Sequence, residues 1–264
     1  MRNREGWGSV TWWEMVAVCA AGVGAGAINT VVGSGSLITF PVLLATGLPP
    51  VTATVSNALG VVPGSVSGAI GYRAELAGQG RRILKLGAGA VCGGLAGATL
   101  LLTLPAAAFE RIVPILVGLA LVLVAVQPLI AGRLRRRRER SGGRPRADVG
   151  PLLFCGLTLA SVYGGYFSAA QGIIYVALMG LLLDEPLQRL NAVKNVLVAL
   201  VNAVAALFFL FVAEFDWTAV LLVAAGSALG GQLGARAGRR LSPRVLRSLV
   251  LAVGTLALGQ LVIR

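Results

Sequence analysis

Long apolar runs recur along the whole chain, and they decide what it can fold into. Residues of the set AVILMFWYC make up 56% of the 264 residues and only 12% are charged, against about 25% charged in an ordinary soluble domain. Most runs approach the roughly 20 residues with which an α-helix crosses the hydrocarbon core of a bilayer. The sequence therefore predicts an all-α polytopic membrane protein, one transmembrane domain over residues 1–264 set in the lipid bilayer. Its ten apolar runs are 12–32, 36–48, 51–72, 84–104, 112–131, 151–170, 172–183, 190–213, 217–235 and 246–263.

The net charge of +13 is concentrated in three short stretches between apolar runs. Stretches 73–85, 133–146 and 236–247 hold 17 of the 23 basic residues. Cytoplasmic loops carry such an excess because Lys and Arg resist translocation. We interpret the charge as an orientation signal, with anionic lipid headgroups as the contact, and expect no nucleic-acid partner.

The residue types that most intramembrane chemistry requires are missing from the apolar runs. The chain has no histidine, and its cysteines, Cys19, Cys92 and Cys155, lie scattered without CxxC spacing. Neither a metal site nor a disulfide framework is therefore predicted. No carboxylate lies deep in a run, and no GxxxxGK[ST] loop is present for ATP. We expect no cofactor and no enzymatic activity, so that any transport would be secondary or passive.

Two of the ten runs are too short to span a membrane. Runs 36–48 and 172–183 have 13 and 12 residues, and as helices they reach about 20 Å, against a hydrocarbon core of about 30 Å. Each follows a break rich in small residues: Gly33-Ser34-Gly35-Ser36 in the first case and Ser168-Ala169-Ala170-Gln171-Gly172 in the second. Short, interrupted segments at matching places in two halves point to the binding site of a transporter.

The second parts of the two halves are visibly similar. Residues 93–98, Gly-Gly-Leu-Ala-Gly-Ala, precede the related stretch Gly-Gly-Gln-Leu-Gly-Ala at 230–235 by 137 positions. Both stretches contain Gly-xxx-Gly spacing, which lets helix backbones approach closely in a membrane. A duplicated unit of five helical segments accounts for all ten runs.

The duplication divides the chain into repeat one at 12–132, a basic cytoplasmic linker at 133–150 and repeat two at 151–263. An odd number of segments per unit makes the second copy inverted in the bilayer, and the loop charges agree. The loop after the third segment is basic in the first half and acidic in the second, whereas the loop after the fourth is charge-balanced and then basic. We therefore predict two inverted-topology repeats, each opening with a broken, re-entrant hairpin. The alternation places both termini outside, but Arg2 and Arg4 are offset by Glu5 and Glu14, so the charges leave the side of the N-terminus open.

The starts of the two short helices, near Ser36 and Gly172, form the predicted binding site. A helix N-terminus carries free N–H groups and a partial positive charge, which suit an anion. Hairpins that enter from opposite faces bring these two tips together. Hydroxyl and amide groups beside the tips come from Ser34, Ser36, Thr39, Ser168 and Gln171.

Lys194 is the one charged residue that does not lie in a loop. A cation inside a membrane costs several kcal/mol unless it is paired, so its position suggests a functional site. The alternative is that the side chain extends along its helix to the membrane interface. The same run carries Asn191, Asn195 and Asn202, while the corresponding run of the first half has Asn57 and no cation.

Several of these motifs follow a known pattern of glycine run, aliphatic residues and proline, with a Thr/Ser-Asn pair downstream. The strongest stretch is residues 29–41, Asn-Thr-Val-Val-Gly-Ser-Gly-Ser-Leu-Ile-Thr-Phe-Pro, followed by Ser56-Asn57. In the second half the matching segments are 163–167, Tyr-Gly-Gly-Tyr-Phe, and 194–197, Lys-Asn-Val-Leu, with Asn202 beyond. From Val16 onward the chain resembles the TauE/SafE sulfite-exporter family, also called the toluene-sulfonate uptake permease group.

The resemblance implies a multi-pass permease of the bacterial inner (plasma) membrane that carries sulfite or organosulfonates. It adds positions that match the family's motifs to the candidate site, which becomes Asn29, Gly33, Ser34, Gly35, Ser36, Thr39, Asn57, Ser168, Gln171, Gly172, Lys194, Asn195 and Asn202. The chain departs from the family pattern at Ser34, Ser36 and residues 168–170, where glycines are common. Added side-chain bulk there bears on the size of the substrate.

The favoured hypothesis is a secondary transporter of small anions that works by alternating access around a midplane site. One alternative is an anion channel, or a membrane subunit of a larger transport assembly. An intramembrane enzyme is a third reading, but it lacks an acid, base, nucleophile or metal set. The sequence leaves open which anion is moved, its direction, a coupling ion and whether the protein forms a homodimer.

Overall fold

The computed structural model describes residues 11–140, 149–237, 248, 250–256 and 258–259, and these residues form helices without any strand. The prediction of an all-α fold is confirmed. The helices that the structure describes are α1 (Trp12–Val31), α2 (Ser36–Ala45), α3 (Pro50–Gly60), α4 (Val62–Gly71), α5 (Gly80–Thr103), α6 (Ala106–Arg140), α7 (Pro151–Tyr166), α8 (Gln171–Leu182), α9 (Leu187–Val212) and α10 (Trp217–Ala237).

Five of these helices are long and apolar enough to cross a membrane, namely the segments Trp12–Val31, Gly80–Thr103, Ala107–Arg133, Leu187–Val212 and Trp217–Arg236. Helices α2, α7 and α8 are apolar but have only 10 to 16 residues. The predicted short arms are therefore present as short helices. In the tenth apolar run, 246–263, the described residues 248, 250–256 and 258–259 are all helical. The rest of this run lies outside the described residues.

The third apolar run differs from the expectation of one continuous segment over 51–72. It forms two helices, α3 and α4, which meet at Val61. Pro63 has no N–H to donate to the carbonyl of Leu59, so the helical ladder is interrupted at this point. The flanking glycines Gly60 and Gly64 lie against α10, where an added methyl group would come within 2.8 Å of Val223 and 2.7 Å of the Ser227 carbonyl oxygen, respectively.

Two pairs of helices pack closely through glycine. Helix α1 lies along α10, and α5 lies along α7. A methyl group at Gly230 would lie 2.0 Å from the carbonyl oxygen of Val23, and one at Gly97 would lie 2.1 Å from that of Val162. Backbones can approach this closely only where both side chains are small. The predicted helix contact at the Gly-xxx-Gly spacings is confirmed.

Both glycine-packed pairs are parallel. In α1 and α10, Gly22 faces Val223 and Gly26 faces Gly231, so that residue numbers rise together along the contact. In each case the first helix of one half runs beside the fourth segment of the other half. A duplicated unit would produce this exchange, and the inverted relation of the two halves stays a prediction.

One end of the bundle carries the described parts of all three basic stretches, and we call it the basic end. Here the end of α4 meets the start of α9 and the end of α10, where Tyr72 packs with Ala192 and Ala235. Arg82, at the start of α5, bridges to Glu185 in the α8–α9 connection at 3.0 Å.

The last turns of α6 approach the same end. Ala131 lines a cleft together with Leu187 of α9. Residues 133–140 of the predicted linker continue α6, and residues 141–148 lie outside the described residues.

Candidate functional site

The first helix break lies between α1 and α2. The N–H groups of Val32 and Gly33 both reach the carbonyl oxygen of Ile28, at 2.7 and 3.0 Å, and this closes the last turn of α1. Gly33 has φ of +89°, a left-handed conformation that a side chain disfavours. The chain then turns back on itself and α2 begins at Ser36.

The second break lies between α7 and α8, and here the left-handed positions are occupied by residues other than glycine. Ser168 has φ of 65° and Ala170 has φ of 58°. Each such residue costs about 1–2 kcal/mol of backbone strain, which the surrounding contacts must offset. One of these contacts is the hydroxyl of Ser168, which donates to the side-chain oxygen of Asn202 at 2.9 Å.

The two breaks meet in the interior of the bundle. The N–H of Gly172 donates to the carbonyl oxygen of Gly33 at 3.1 Å. A methyl group at Gly33 would lie 2.7 Å from the backbone of Gly172, so neither position leaves room for a side chain. Ser36 and Ser168 approach to 3.5 Å beside this contact. The first break and the start of α8 therefore lie in backbone contact, and a ligand can lie beside the crossing but not between the two glycines.

Aromatic side chains also pack around the crossing of the two breaks. The rings of Phe40 in α2 and Phe167 at the end of α7 are 5.3 Å apart and nearly perpendicular. Phe109 of α6 packs edge-on against Tyr166, with 5.5 Å between ring centres. Edge-to-face pairs of this kind contribute about 0.5–1.5 kcal/mol of stabilisation beyond the burial of their area. The contact between the two breaks is therefore stabilised by both backbone and side-chain interactions.

Lys194 lies at the crossing and is completely buried, with 0% of its surface exposed. Its ammonium donates to the carbonyl oxygens of Asn29 at 2.7 Å and Thr30 at 3.0 Å. These carbonyls belong to the last turn of α1, where carbonyl groups lack a partner within the helix. The side chain therefore does not extend to a membrane interface, because it points into the protein and caps a broken helix.

The charge of Lys194 is only partly balanced by what surrounds it. Among the described residues no carboxylate forms an ion pair with it, and the end of α1 contributes about half a negative charge through its dipole. An ammonium has three N–H donors, and the carbonyls of Asn29 and Thr30 take two of them. The third donor of the ammonium has no partner among the described residues.

The polar residues around the breaks form a second layer of contacts. Thr39 donates to the side-chain oxygen of Asn57, and the side-chain amide of Asn29 donates to Ser65 at 3.0 Å. Asn195 donates to the carbonyl oxygen of Thr30 at 3.4 Å, beside Lys194. These bonds join α1, α2, α3, α4 and α9 around the first break.

Three candidate residues keep a buried polar atom without a hydrogen-bond partner among the described residues: the hydroxyl of Ser34 and the side-chain oxygens of Gln171 and Asn195. Such atoms cost about 1–3 kcal/mol each when nothing satisfies them.

Gly35 has a packing role, because a methyl group there would lie 2.3 Å from the carbonyl oxygen of Ala25. Gly33, Gly172, Lys194 and Asn195 thus lie together, whereas Thr39 and Asn57 form a separate pair.

Comparison with known proteins finds one family and several relatives. The sequence model of the family described as Sulfite exporter TauE/SafE matches residues 18–261. The chain belongs to this family. Its relatives include the Probable membrane transporter protein YfcA of Escherichia coli strain K12, 27% identical over 238 residues, which cover 90% of this chain and 85% of YfcA.

Two further relatives carry similar names. A Probable membrane transporter protein of Haemophilus influenzae strain Rd is 26% identical over 238 residues, covering 89% of each chain. The Probable membrane transporter protein ORF9 of a Sinorhizobium species is 25% identical over 232 residues, covering 87% of this chain and 85% of ORF9. No solved structure matches the chain.

Membership of the TauE/SafE family makes this chain a multi-pass membrane transporter and not an enzyme. The family resemblance drawn from the motifs at 29–41 and 194–197 is confirmed. The carbonyl partners of Lys194 were missed by sequence reasoning, since a backbone acceptor leaves no mark in the sequence.

Tyr175 was also missed in this TauE/SafE member. Its hydroxyl accepts from the amide of Gln171 at 2.6 Å and bonds to Ser161 at 2.6 Å, all within the buried second hairpin. A signal was present, because Gln171 and Tyr175 are four residues apart and therefore share a helix face.

Proposed function

We propose that this TauE/SafE member is a secondary transporter of small anions, sulfite or organosulfonates, that works by alternating access around the crossing of its two helix breaks. The observation that carries the proposal is Lys194, a completely buried ammonium with no carboxylate partner among the described residues. A buried positive charge of this kind is stabilised by an anion that binds beside it.

The crossing supplies further donors to such an anion. The start of α8 is a helix N-terminus, and its dipole favours negative charge nearby. The hydroxyl of Ser34 is buried and unpartnered nearby on the first break. An oxyanion held by the free N–H of Lys194 and by such a hydroxyl would receive donors from both halves of the chain.

Binding at Lys194 also suggests how the halves are coupled. Lys194 lies in α9 of the second half, and its present acceptors, Asn29 and Thr30, lie in α1 of the first half. An anion beside the ammonium competes with those carbonyls, so it weakens one contact between the halves. A ligand shifts a conformational equilibrium only through such a difference in binding between two states.

We further propose that the basic end faces the cytoplasm of a bacterial cell and that the two halves are inverted repeats. The positive-inside rule supports the orientation. Support for the inversion comes from the parallel pairs α1–α10 and α5–α7. In each pair the first helix of one half packs against the fourth segment of the other half. Rocking of one half against the other would open the crossing to each side in turn.

The test uses the two lysines of the chain as a matched pair. Lys194→Met removes the buried charge while keeping a long side chain, and Lys85→Met removes an exposed charge at the start of α5. A charge-assisted hydrogen bond to a ligand is worth about 1.5–3 kcal/mol, so we expect Lys194→Met to lower sulfite or methanesulfonate uptake by about 10-fold to 100-fold. Lys85→Met should transport like the wild type.

The measurement is saturable uptake of radiolabelled anions into proteoliposomes, with size-exclusion chromatography as a check on folding. Lys194→Arg keeps the charge and should retain more transport than Lys194→Met. Uptake by a well-folded Lys194→Met protein at the wild-type rate would contradict the proposed role of the lysine. Flux that does not saturate and far exceeds carrier turnover would indicate a channel instead.

A further inference from the structure

A cleft lies between the helix crossing and the basic end of the bundle. It contains about 370 Å³ of empty space including its open mouth. Ten residues line it, among them Val32, Gln127, Ile173 and Asn191. Four helices, α1, α6, α8 and α9, contribute these walls.

The cleft joins the crossing to the basic end. At its inner end are Val32, which immediately precedes Gly33, and Ile173, which immediately follows Gly172. Its outer part is lined by Ala131 and Leu187, which lie next to the basic end. The space therefore begins beside the backbone contact of the two breaks and continues along α8 in the direction of its C-terminus.

Two amides are the only polar side chains among its ten lining residues, and none of the ten is charged. Gln127 lies inside the apolar span of α6, and Asn191 lies one turn before Lys194 on the same face of α9. Neither side chain forms a hydrogen bond to another described residue. Polar residues within a membrane span are costly and mark substrate pathways, and an unpaired amide there has N–H donors to offer.

We propose that this cleft is the transport path between the crossing and the basic end, and that Gln127 and Asn191 donate hydrogen bonds to the anion as it passes. The inference rests on the proposed function, because it takes Lys194 as the site that the path serves. An amide binds an anion without a full charge and therefore more weakly than an ammonium does. Weak, successive contacts are what passage requires, since the anion must also leave.

The test is the accessibility of single cysteines placed in the cleft. The native Cys19, Cys92 and Cys155 are first replaced by alanine. Asn191→Cys and Gln127→Cys are then treated with 2-sulfonatoethyl methanethiosulfonate, a membrane-impermeant anion, in vesicles of known orientation. A thiol reacts as its thiolate and needs water. Both cysteines should react from the basic end, and a saturating transported anion should slow the reaction.

Ala125→Cys is the matched control, because residue 125 lies in the same helix as Gln127 but is exposed on the surface of the bundle. We expect Asn191→Cys and Gln127→Cys to react at least about tenfold faster than Ala125→Cys, since a transport path admits the water that a thiolate needs. Equal rates at the three positions, or no reaction at Asn191→Cys and Gln127→Cys, would overturn the path.

A second pair of variants keeps the proposal testable if a cysteine variant does not fold. Asn191→Leu and Gln127→Leu keep side-chain volume but remove the donors, so each should lower uptake by at least about threefold, the loss of a weak hydrogen bond. Wild-type uptake by both leucine variants would refute the role of the amides.

The outcomes separate this inference from the proposed function. Cleft cysteines that react while neither sulfite nor sulfonates slow them or are transported would support the path and refute the substrate. Loss of uptake in Lys194→Met without any reaction in the cleft would leave the proposed function standing and refute the path.

Discussion

The contact between the two helix breaks can be tested with a pair of glycine substitutions. Gly33 and Gly47 both have φ of +89°. A methyl group at Gly33 would lie 2.7 Å from the backbone of Gly172, whereas one at Gly47 would meet nothing within 4 Å. Gly33→Ala and Gly47→Ala therefore share the backbone strain and differ only in the contact at the crossing.

The expected loss of unfolding free energy follows from these differences. Alanine in the left-handed region costs about 1–2 kcal/mol at either position. At Gly33 the crowded methyl group adds about 1–3 kcal/mol of overpacking, and the loss of the hydrogen bond from Gly172 adds about 1 kcal/mol. We therefore expect Gly33→Ala to lose about 2–4 kcal/mol more than Gly47→Ala. Any change in the entropy of the unfolded chain is the same for both and cancels.

The assay is unfolding of the purified protein by sodium dodecyl sulfate in mixed micelles, followed by tryptophan fluorescence. Uptake into proteoliposomes at a temperature where both variants are folded provides the functional readout. Gly33→Ala should also lose transport, because the displaced break carries Asn29 and Thr30 away from Lys194. Equal destabilisation of the two variants would refute the contact, and so would transport by Gly33→Ala at the wild-type rate.

Two further predictions concern packing and buried polar groups. Gly97→Ala places a methyl group 2.1 Å from a carbonyl oxygen of α7 and should lower the unfolding free energy by about 1–3 kcal/mol. At Gly132 in α6 an added methyl group meets nothing within 4 Å, so Gly132→Ala should be neutral or stabilise by up to about 1 kcal/mol through helix propensity. The same denaturant titration compares Gly97→Ala with Gly132→Ala. Tyr175→Phe removes the hydroxyl that holds Gln171 and should cost about 1–3 kcal/mol. Tyr163→Phe removes a buried hydroxyl that has no partner among the described residues, so it should be neutral or stabilising in the same titration. Equal losses in the two variants would contradict the assigned bond.

Much of the architecture was predictable because it depends on local properties of the chain. Run lengths and small-residue breaks located the short helices that begin at Ser36 and Gln171. The spacing of Gly93 with Gly97 predicted a close helix contact, which α7 provides. These predictions succeed because a bilayer requires each segment to satisfy its own backbone, whatever its neighbours are.

The sequence predicted which residues belong to the candidate site better than it predicted the contacts between them. Lys194 stood out as a cation within an apolar run, but its partners are backbone carbonyls 165 and 164 residues earlier in the chain. Side-chain patterns carry no information about such acceptors. The break at Val61 was missed because prolines in membrane helices are often tolerated, and only the structure shows that a helix ends beside this one.

The sequence by itself determined the membrane environment, the helical class, the two interrupted hairpins and the family, because these depend on composition, run length and local motifs. Only the tertiary structure decided that the breaks meet through Gly33 and Gly172, that Lys194 caps α1, and that a cleft with Gln127 and Asn191 leads away from them. The physical reason is that these features arise between segments distant in the chain, where packing decides which groups meet.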